Sequence, residues 1–149
     1  MLYRCDTNHN PRHLSVGVST FNYKLPYAAI FGGITQIPSE KFEHINGYSN
    51  KYWGWGGEDD DMYRRVFQYG KYSLVRPDIN LARFKMITHV HESSNTANPD
   101  RFKLLRTWRE RIDQDGLKSL KYTVISRSFS GIFEKIIVDI GDKPKVGKQ

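Results

Sequence analysis

The sequence contains no long apolar run and only one cysteine. No apolar stretch approaches the roughly 20 residues that a membrane-spanning helix needs, and no signal peptide opens the chain. If the protein is secretory, its targeting segment is not in these residues. A lone cysteine such as Cys5 is usually a small buried hydrophobe, but in an exported protein it would be the odd half of a disulfide.

Dense basic clusters, nucleic-acid motifs, Gly-rich phosphate loops and internal repeats are also missing. The formal net charge is +7, but the lysines and arginines are scattered along the chain. Nucleic-acid binding predicts clustered basic residues with aromatic stacking platforms, so no nucleic-acid partner is expected. The charge is attributed to a solvated surface with a basic tail at 143–149, and it also suits a diphosphate-bearing substrate.

The residues that are present predict one mixed domain. The chain has 149 residues, of which 38% are hydrophobic and 13% aromatic, enough for a real core. Hydrophobic periodicity and turn signals predict strands over 13–18, 27–34, 72–76, 121–125 and 133–140. They predict helices over 39–45, 58–69 and 100–113, with loops at 48–57 and 92–99. The order favours an α/β or α+β class, with few strands for a complete nucleotide-binding fold.

The stretch WGWGGEDDD, residues 53–61, is the most unusual part of the chain. Its four acids fit the first turn of a helix, where free N–H groups and the helix dipole stabilise negative charge. Because a helix rotates consecutive side chains by about 100°, only one or two of them can face a cleft. Such a carboxylate can act as a general base. The glycines allow loop movement, and Trp55 between two of them suits a sugar face better than Trp53, which is equally suited to a core.

A second pattern, Met86, His89 and His91, gives a weak metal signal. Histidine is a common metal ligand, but methionine is a soft ligand and unusual for a hard divalent ion.

Several motifs in order resemble one known family. WGWGGEDDD is accompanied by FGGI at 31–34, INGY at 45–48, RFKMITH at 83–89, NPDRF at 98–102, DGLKSLKY at 115–122 and VDIG at 138–141. Together they resemble the β-1,4-galactosyltransferase family over residues 1–142, matching the carboxyl-terminal half of its catalytic domain. The resemblance implies the carboxyl-terminal part of a GT-A nucleotide-sugar fold, with a mixed sheet and flanking helices.

The resemblance also implies an activity and a location. Members are manganese-dependent enzymes of the Golgi lumen, held by an amino-terminal membrane anchor that these residues do not contain. They transfer a sugar from UDP-galactose or UDP-N-acetylgalactosamine (UDP-GalNAc), with inversion, to the 4-hydroxyl of a terminal N-acetylglucosamine (GlcNAc).

Roles for individual residues follow from the same resemblance. Asp59 matches the catalytic base, and Met86 and His89 match two manganese ligands. The donor-side positions are Ile30, Gly33, Trp55 and Glu58. The acceptor-side positions are Phe21, Tyr27, Gly56, Gly57, Asp60, Arg101, Phe102 and Leu105.

Three departures from the family pattern bear on function. The Asp-x-Asp motif that supplies the third metal ligand is absent, as is the half-cystine that pairs with Cys5, so a fragment without useful activity alone is expected. Ile30 replaces a tyrosine of the vertebrate enzymes, which predicts a preference for UDP-GalNAc. His89-Val90-His91 resembles the xylose-directed branch, but Met86 and NPDRF favour a GlcNAc acceptor. The alternative function is a non-catalytic fragment that binds the acceptor sugar only.

Overall fold

The computed structural model describes residues 10–87, 93 and 95–142. The chain divides into two compact units, Met1–Lys118 and Ser119–Gln149. Cys5, His89, His91 and the basic tail at 143–149 lie outside the described residues. Within the described ranges, no helix has the length and apolar character needed to cross a membrane.

The first unit combines short strands with short helices. Its strands are β1 (Arg12–His13), β2 (Gly17–Val18), β3 (Thr35–Gln36) and β4 (Arg83–Phe84). Its helices are α1 (Ser39–His44), α2 (Glu58–Tyr63), α3 (Arg101–Arg106) and α4 (Trp108–Arg111). β1 pairs antiparallel with β3, and β2 pairs parallel with β4. The mixed α/β class is confirmed, but these strands form separate two-stranded ladders rather than one mixed sheet.

The predicted helix at 58–69 is confirmed, with a change of helix type half-way. α2 continues as a π-helical segment, Arg64–Tyr69, in which the Gly70 amide donates to the Arg65 carbonyl at 2.9 Å. Met62 and Val66 lie four residues apart on the inner face and have no exposed surface. They pack with Phe31 and Ile45 to form the core of this unit. The acids of the first helical turn therefore stand on a helix that the core holds in place.

Two predicted strands of the first unit are wrong. Residues 27–34 are irregular, because the Ile30 amide turns back to the Tyr27 carbonyl and Gly33 has a φ of 83°. Residues 72–76 contribute only a short parallel bridge between Val75 and Arg12. The strand predicted at 13–18 is reduced to β1 and β2, and residues 13–17 are buried without alternation.

Two other predicted elements are confirmed with different bounds. The predicted helix at 100–113 is interrupted at Thr107, which separates α3 from α4. α1 ends as predicted, with Asn46 and Gly47 both at positive φ.

The second unit is a β-hairpin of β5 (Thr123–Ser130) and β6 (Phe133–Asp139). The strands pair antiparallel, with Ser130 opposite Phe133. Gly131, with a φ of 57°, occupies the first position of the two-residue turn, where a positive φ matches the twist of the strands. The strand predicted at 121–125 thus begins later and extends five residues further. All residues of both strands are exposed.

Candidate active site

A cavity of about 670 Å³ opens in the first unit, within the size range of ligand sites in proteins. Its lining residues come from the segments 15–21, 26–34 and 84–86, together with Trp55 and Asp59. Seven of the predicted site residues lie on its wall: Phe21, Tyr27, Ile30, Gly33, Trp55, Asp59 and Met86. The structure therefore brings residues from widely separated motifs to one concave surface.

The four consecutive acids point to different surroundings. Asp59 lines the cavity, and Asp60 accepts a hydrogen bond from the Tyr27 hydroxyl at 3.0 Å. Asp61 is 1% exposed and pairs with Arg65, with 2.6 Å between Oδ2 and Nε. One oxygen of Glu58, Oε2, is buried and has no hydrogen-bond partner. As helix geometry predicts, only part of the run faces the cleft.

The Asp59 carboxyl has a perturbed acidity. Burial against the cavity wall, and then repulsion from Glu58 and Asp60, raise its pKa from 3.8 to about 6. This carboxyl is thus ionised at neutral pH but much more basic than an ordinary aspartate. Such a value suits a group that must accept a proton near neutral pH.

Gly32 provides the wall against which Asp59 rests. A β-carbon at this position would overlap the Asp59 carboxylate, so a larger residue there would displace the carboxyl group. The group that approaches Gly32 most closely is the side chain of Asp59.

The three glycines around the tryptophans are required by backbone conformation. Gly54, Gly56 and Gly57 have φ values of 93°, 102° and 94°, in the region that other residues rarely adopt. Trp55, between them, is 55% exposed and lines the cavity. Its amide donates to the Thr96 carbonyl, and its carbonyl accepts from the Asn98 amide, both at 2.9 Å. Movement of this loop stays a prediction.

The predicted acceptor-side residues of α3 lie next to that loop. Arg101 is close to Gly56 and Gly57, since β-carbons there would be 3.2 Å from its Cδ and 3.1 Å from its Cβ. Its guanidinium lies 4.5 Å from the centre of the exposed Phe102 ring. Leu105 is only 8% exposed and belongs to the buried residues. Its predicted contact with an acceptor stays a prediction.

Manganese, which the family resemblance implies, needs several ligands in one place. Within residues 10–87, 93 and 95–142, no group of three His, Cys, Asp or Glu side chains could hold a metal ion. Met86 reaches the cavity, fixed by a bond of 2.9 Å from its amide to the Ser19 hydroxyl, but His89 lies outside the described residues. The described residues alone do not make a manganese site.

A buried ionic cluster, which was not predicted from the sequence, contacts α2 through Asp61. Arg65, with no exposed surface, contacts Asp61 and also Asp115, whose Oδ2 lies 3.3 Å from Nη2. Arg111 pairs with both aspartates from the other side. The spacing of Asp61 and Arg65, four residues apart on a helix, was the available signal.

Comparisons with known proteins identify the family of this chain. A family model described as the N-terminal domain of galactosyltransferase matches residues 12–90. The chain belongs to the β-1,4-galactosyltransferase family. The description differs from the carboxyl-terminal half expected above, so the position of the segment within the family's domain stays a prediction.

Individual members of the family are similar along nearly the whole chain. Human β-1,4-galactosyltransferase 2 is 41% identical over 143 residues, covering 96% of this chain and 38% of that protein. Bovine β-1,4-galactosyltransferase 3 is 40% identical over 144 residues, covering 97% and 36%. The chain therefore spans less than two fifths of the length of these relatives.

A solved structure shares the fold. The catalytic domain of Drosophila β-1,4-galactosyltransferase 7, a mutant in complex with manganese, UDP-Gal and xylobiose, matches with a TM-score of 0.68 and 24% identity. The match covers 94% of this chain and 60% of that domain. The described fold is thus that of part of a galactosyltransferase catalytic domain.

Proposed function

We propose that this chain is the catalytic segment of an inverting glycosyltransferase. It moves galactose or N-acetylgalactosamine from a UDP-sugar to the 4-hydroxyl of a terminal GlcNAc on a glycoconjugate. The observation that carries the proposal is the placement of Asp59, with its raised pKa, on one cavity wall with Trp55 and Met86. By family, the protein works in the Golgi lumen.

Asp59 is the general base of this reaction. Its carboxylate takes the proton of the acceptor hydroxyl while that oxygen bonds to the anomeric carbon of the donor. The bond from the anomeric carbon to the diphosphate oxygen breaks on the opposite face, so the configuration inverts and UDP leaves. A base with a pKa of about 6 is ionised at neutral pH and still accepts a proton from an alcohol as it reacts.

The neighbouring acids bind sugars in this proposal. The unpartnered Oε2 of Glu58 is a free acceptor for a hydroxyl of the donor sugar. Asp60, oriented by the Tyr27 hydroxyl, binds the acceptor with Phe21. The Trp55 ring covers the donor from the exposed side and excludes water that would hydrolyse it.

The acceptor-side contacts come from the beginning of α3. Arg101 and Phe102, stacked beside Gly56 and Gly57, form the face that receives the acetamide side of GlcNAc. Leu105 supports that face from its buried position.

Manganese is proposed as the cofactor, held in part by Met86 and His89. The ion would neutralise charge on the diphosphate when bound. Of these two residues the structure describes Met86, which lines the cavity.

A chimera tests the proposed activity. This chain replaces the matching segment of human β-1,4-galactosyltransferase 2, and transfer from UDP-Gal and UDP-GalNAc to GlcNAc is measured with manganese. Asp59→Asn should lower kcat by at least about 100-fold, whereas Asp113→Asn, at an exposed site, should leave it unchanged. Equal activity of the Asp59→Asn chimera and its parent would exclude Asp59 as the base.

Ile30 supports a preference for UDP-GalNAc. It lines the cavity with an aliphatic side chain, and the family resemblance implies a tyrosine at this position in the vertebrate enzymes, beside the 2-position of the donor. The smaller side chain leaves room for an acetamide group. Ile30→Tyr should shift the preference of the chimera toward UDP-Gal, and Ile30→Leu should not. A strong preference for UDP-Gal that Ile30→Tyr leaves unaltered would contradict the assignment.

The second candidate function is acceptor-sugar binding without transfer. It is favoured by the position of Phe21 and Tyr27, two predicted acceptor-side residues, on the cavity wall, where they could bind a sugar without a metal ion. Calorimetric titration of residues 1–149 with GlcNAc, with and without manganese, separates the two. If GlcNAc binds equally well with and without manganese, and the chain alone transfers no sugar, the chain is a binding fragment.

A further inference from the structure

The segment at 28–34, which carries Ile30 and Gly32 to the cavity, has no regular secondary structure to hold its shape. Three of its backbone carbonyls, those of Ala28, Ile30 and Gly32, accept hydrogen bonds from side chains of other segments. The Arg76 Nη2 donates to the carbonyls of Ala28 and Ile30, both at 2.8 Å. An irregular wall thus receives a fixed position from one guanidinium.

Arg76 also orients a buried histidine. Its Nε donates to Nδ1 of His13 at 3.2 Å. Because a guanidinium only donates, Nδ1 accepts, and the proton of the neutral imidazole is on Nε2, which lies 3.0 Å from the Gly32 carbonyl. Burial lowers the pKa of His13, which keeps the ring neutral. The ring has no exposed surface.

Ser15 completes the set of contacts to this wall. Its hydroxyl donates to the Gly32 carbonyl at 2.9 Å and accepts from the Ile34 amide at 2.9 Å. Gly32 is thereby held from behind by His13 and Ser15, while its front contacts the Asp59 carboxylate. A small displacement of Gly32 would change the space, and the access of water, around that carboxylate.

We propose that Arg76, His13 and Ser15 form a positioning chain that presses the 28–34 wall against Asp59 and sets, through Ile30, the room left for the donor sugar. The inference rests on the proposed function for its donor, but the effect on Asp59 does not need turnover. None of the three residues touches the reacting atoms; they act through the wall.

The first measurement uses the whole 149-residue chain labelled with ¹³C at the aspartate carboxyl groups. Arg76→Lys keeps the charge and loses the fork of donors, so water should reach Asp59 and its carboxyl pKa should fall by about one unit. Ser15→Ala, a milder change, should act in the same direction. Arg12→Lys is the matched control, since the Arg12 guanidinium donates to Gln36, its cross-strand partner in the β1–β3 ladder.

The second measurement uses the chimera described above. Loss of wall position should raise KM for the UDP-sugar by about fivefold and change the ratio of activity with UDP-GalNAc and UDP-Gal, with KM for GlcNAc constant. A merely structural role would lower the active fraction, and hence kcat, without moving either KM. Arg12→Lys should leave all of these values as they are.

The outcomes separate the two proposals. If no chimera transfers either sugar but the Asp59 pKa still falls in Arg76→Lys and Ser15→Ala, the proposed function fails and the positioning chain stands. If both variants fold with the Asp59 pKa and donor KM of the parent, the positioning chain is overturned. Unfolding of both variants would give these residues a role in stability alone, and would overturn it as well.

Discussion

The two units differ in how far their apolar residues are buried, as Phe31 and Phe129 show. Phe31 has no exposed surface and packs edge-on against Phe67, with 5.3 Å between ring centres. Phe129, in the hairpin, is 83% exposed, and Ile132 at its turn is fully exposed. The first unit closes a core around the helix that carries the acids. The hairpin is rich in apolar residues, but its two strands are joined by backbone pairing and the Arg127–Glu134 ion pair, and two strands alone are marginal in water.

The difference concerns the helix that carries the candidate site. The candidate site is built on α2, and both the apolar core and the ionic cluster act on that helix. The ion pairs of the two units differ in burial as much as their apolar residues do. Arg65 is fully buried between two aspartates, whereas the hairpin pair of Arg127 and Glu134 lies 3.4 Å apart at the surface. Substitutions matched between the units can break or sharpen this contrast.

The largest effect is expected at the ionic cluster. Asp115→Ala leaves Arg65 and Arg111 without one of their two carboxylate partners, and an under-compensated buried charge should cost about 4 kcal/mol of unfolding free energy. Glu134→Ala in the hairpin should cost less than about 0.5 kcal/mol, because its partner stays in water. Urea unfolding followed by tryptophan fluorescence measures the first, and both can be read by circular dichroism. Similar losses would show that burial does not separate the two charge pairs.

Part of this contrast could be predicted from the sequence. The helix at 58–69 and its inner face could be predicted from local signals. These are the glycines at its two ends, the four-residue spacing of Met62 and Val66, and the four consecutive acids. The identity of the inward acid also had a local signal, because Arg65 follows Asp61 by four residues. Asp115, the second partner of Arg65, and Arg111, the second partner of Asp61, are distant from α2 in sequence, and no local spacing connects them to it.

Other features could not be predicted because they depend on contacts between distant segments. Residues 27–34 have the apolar composition of a buried strand, but the carbonyls of Ala28, Ile30 and Gly32 accept hydrogen bonds from side chains of other segments instead of from a neighbouring strand. The strand predicted at 121–125 ends five residues too early. The second half of β5 alternates serine with Arg127 and Phe129, a composition that is typical of a loop. Strand identity there is set by pairing with β6.

A smaller effect is expected from matched apolar truncations. Met62→Ala removes a side chain with no exposed surface from the core under α2, which should cost about 3 kcal/mol through lost burial and the cavity left behind. Ile132→Ala, at the fully exposed turn, should change the unfolding free energy by less than about 0.5 kcal/mol. Differential urea midpoints check both. A loss at Ile132 comparable to that at Met62 would mean that the hairpin tip is covered in solution.

The smallest expected effect has the opposite sign and lies at the site itself. The pKa of Asp59 is raised in the folded chain to about 6, so the fold favours its protonated form. Its contribution is fully present below the ordinary pKa of 3.8 and is lost as pH rises through about 6. Asp59→Asn should therefore stabilise the chain at pH 7.5, by about 1 kcal/mol once screening of this partly exposed group is allowed for, and should have almost no effect at pH 4.

Urea midpoints at the two pH values measure this difference, with Asp113→Asn, at an exposed site, as the control that should be neutral at both. A stabilising substitution that also abolishes transfer in the chimera would show that the first unit tolerates an unfavourable carboxylate at the point where a proton must be accepted. Destabilisation by Asp59→Asn at pH 7.5 would instead make Asp59 a structural partner like Asp61, and the contrast between the two acids of one helical turn would disappear.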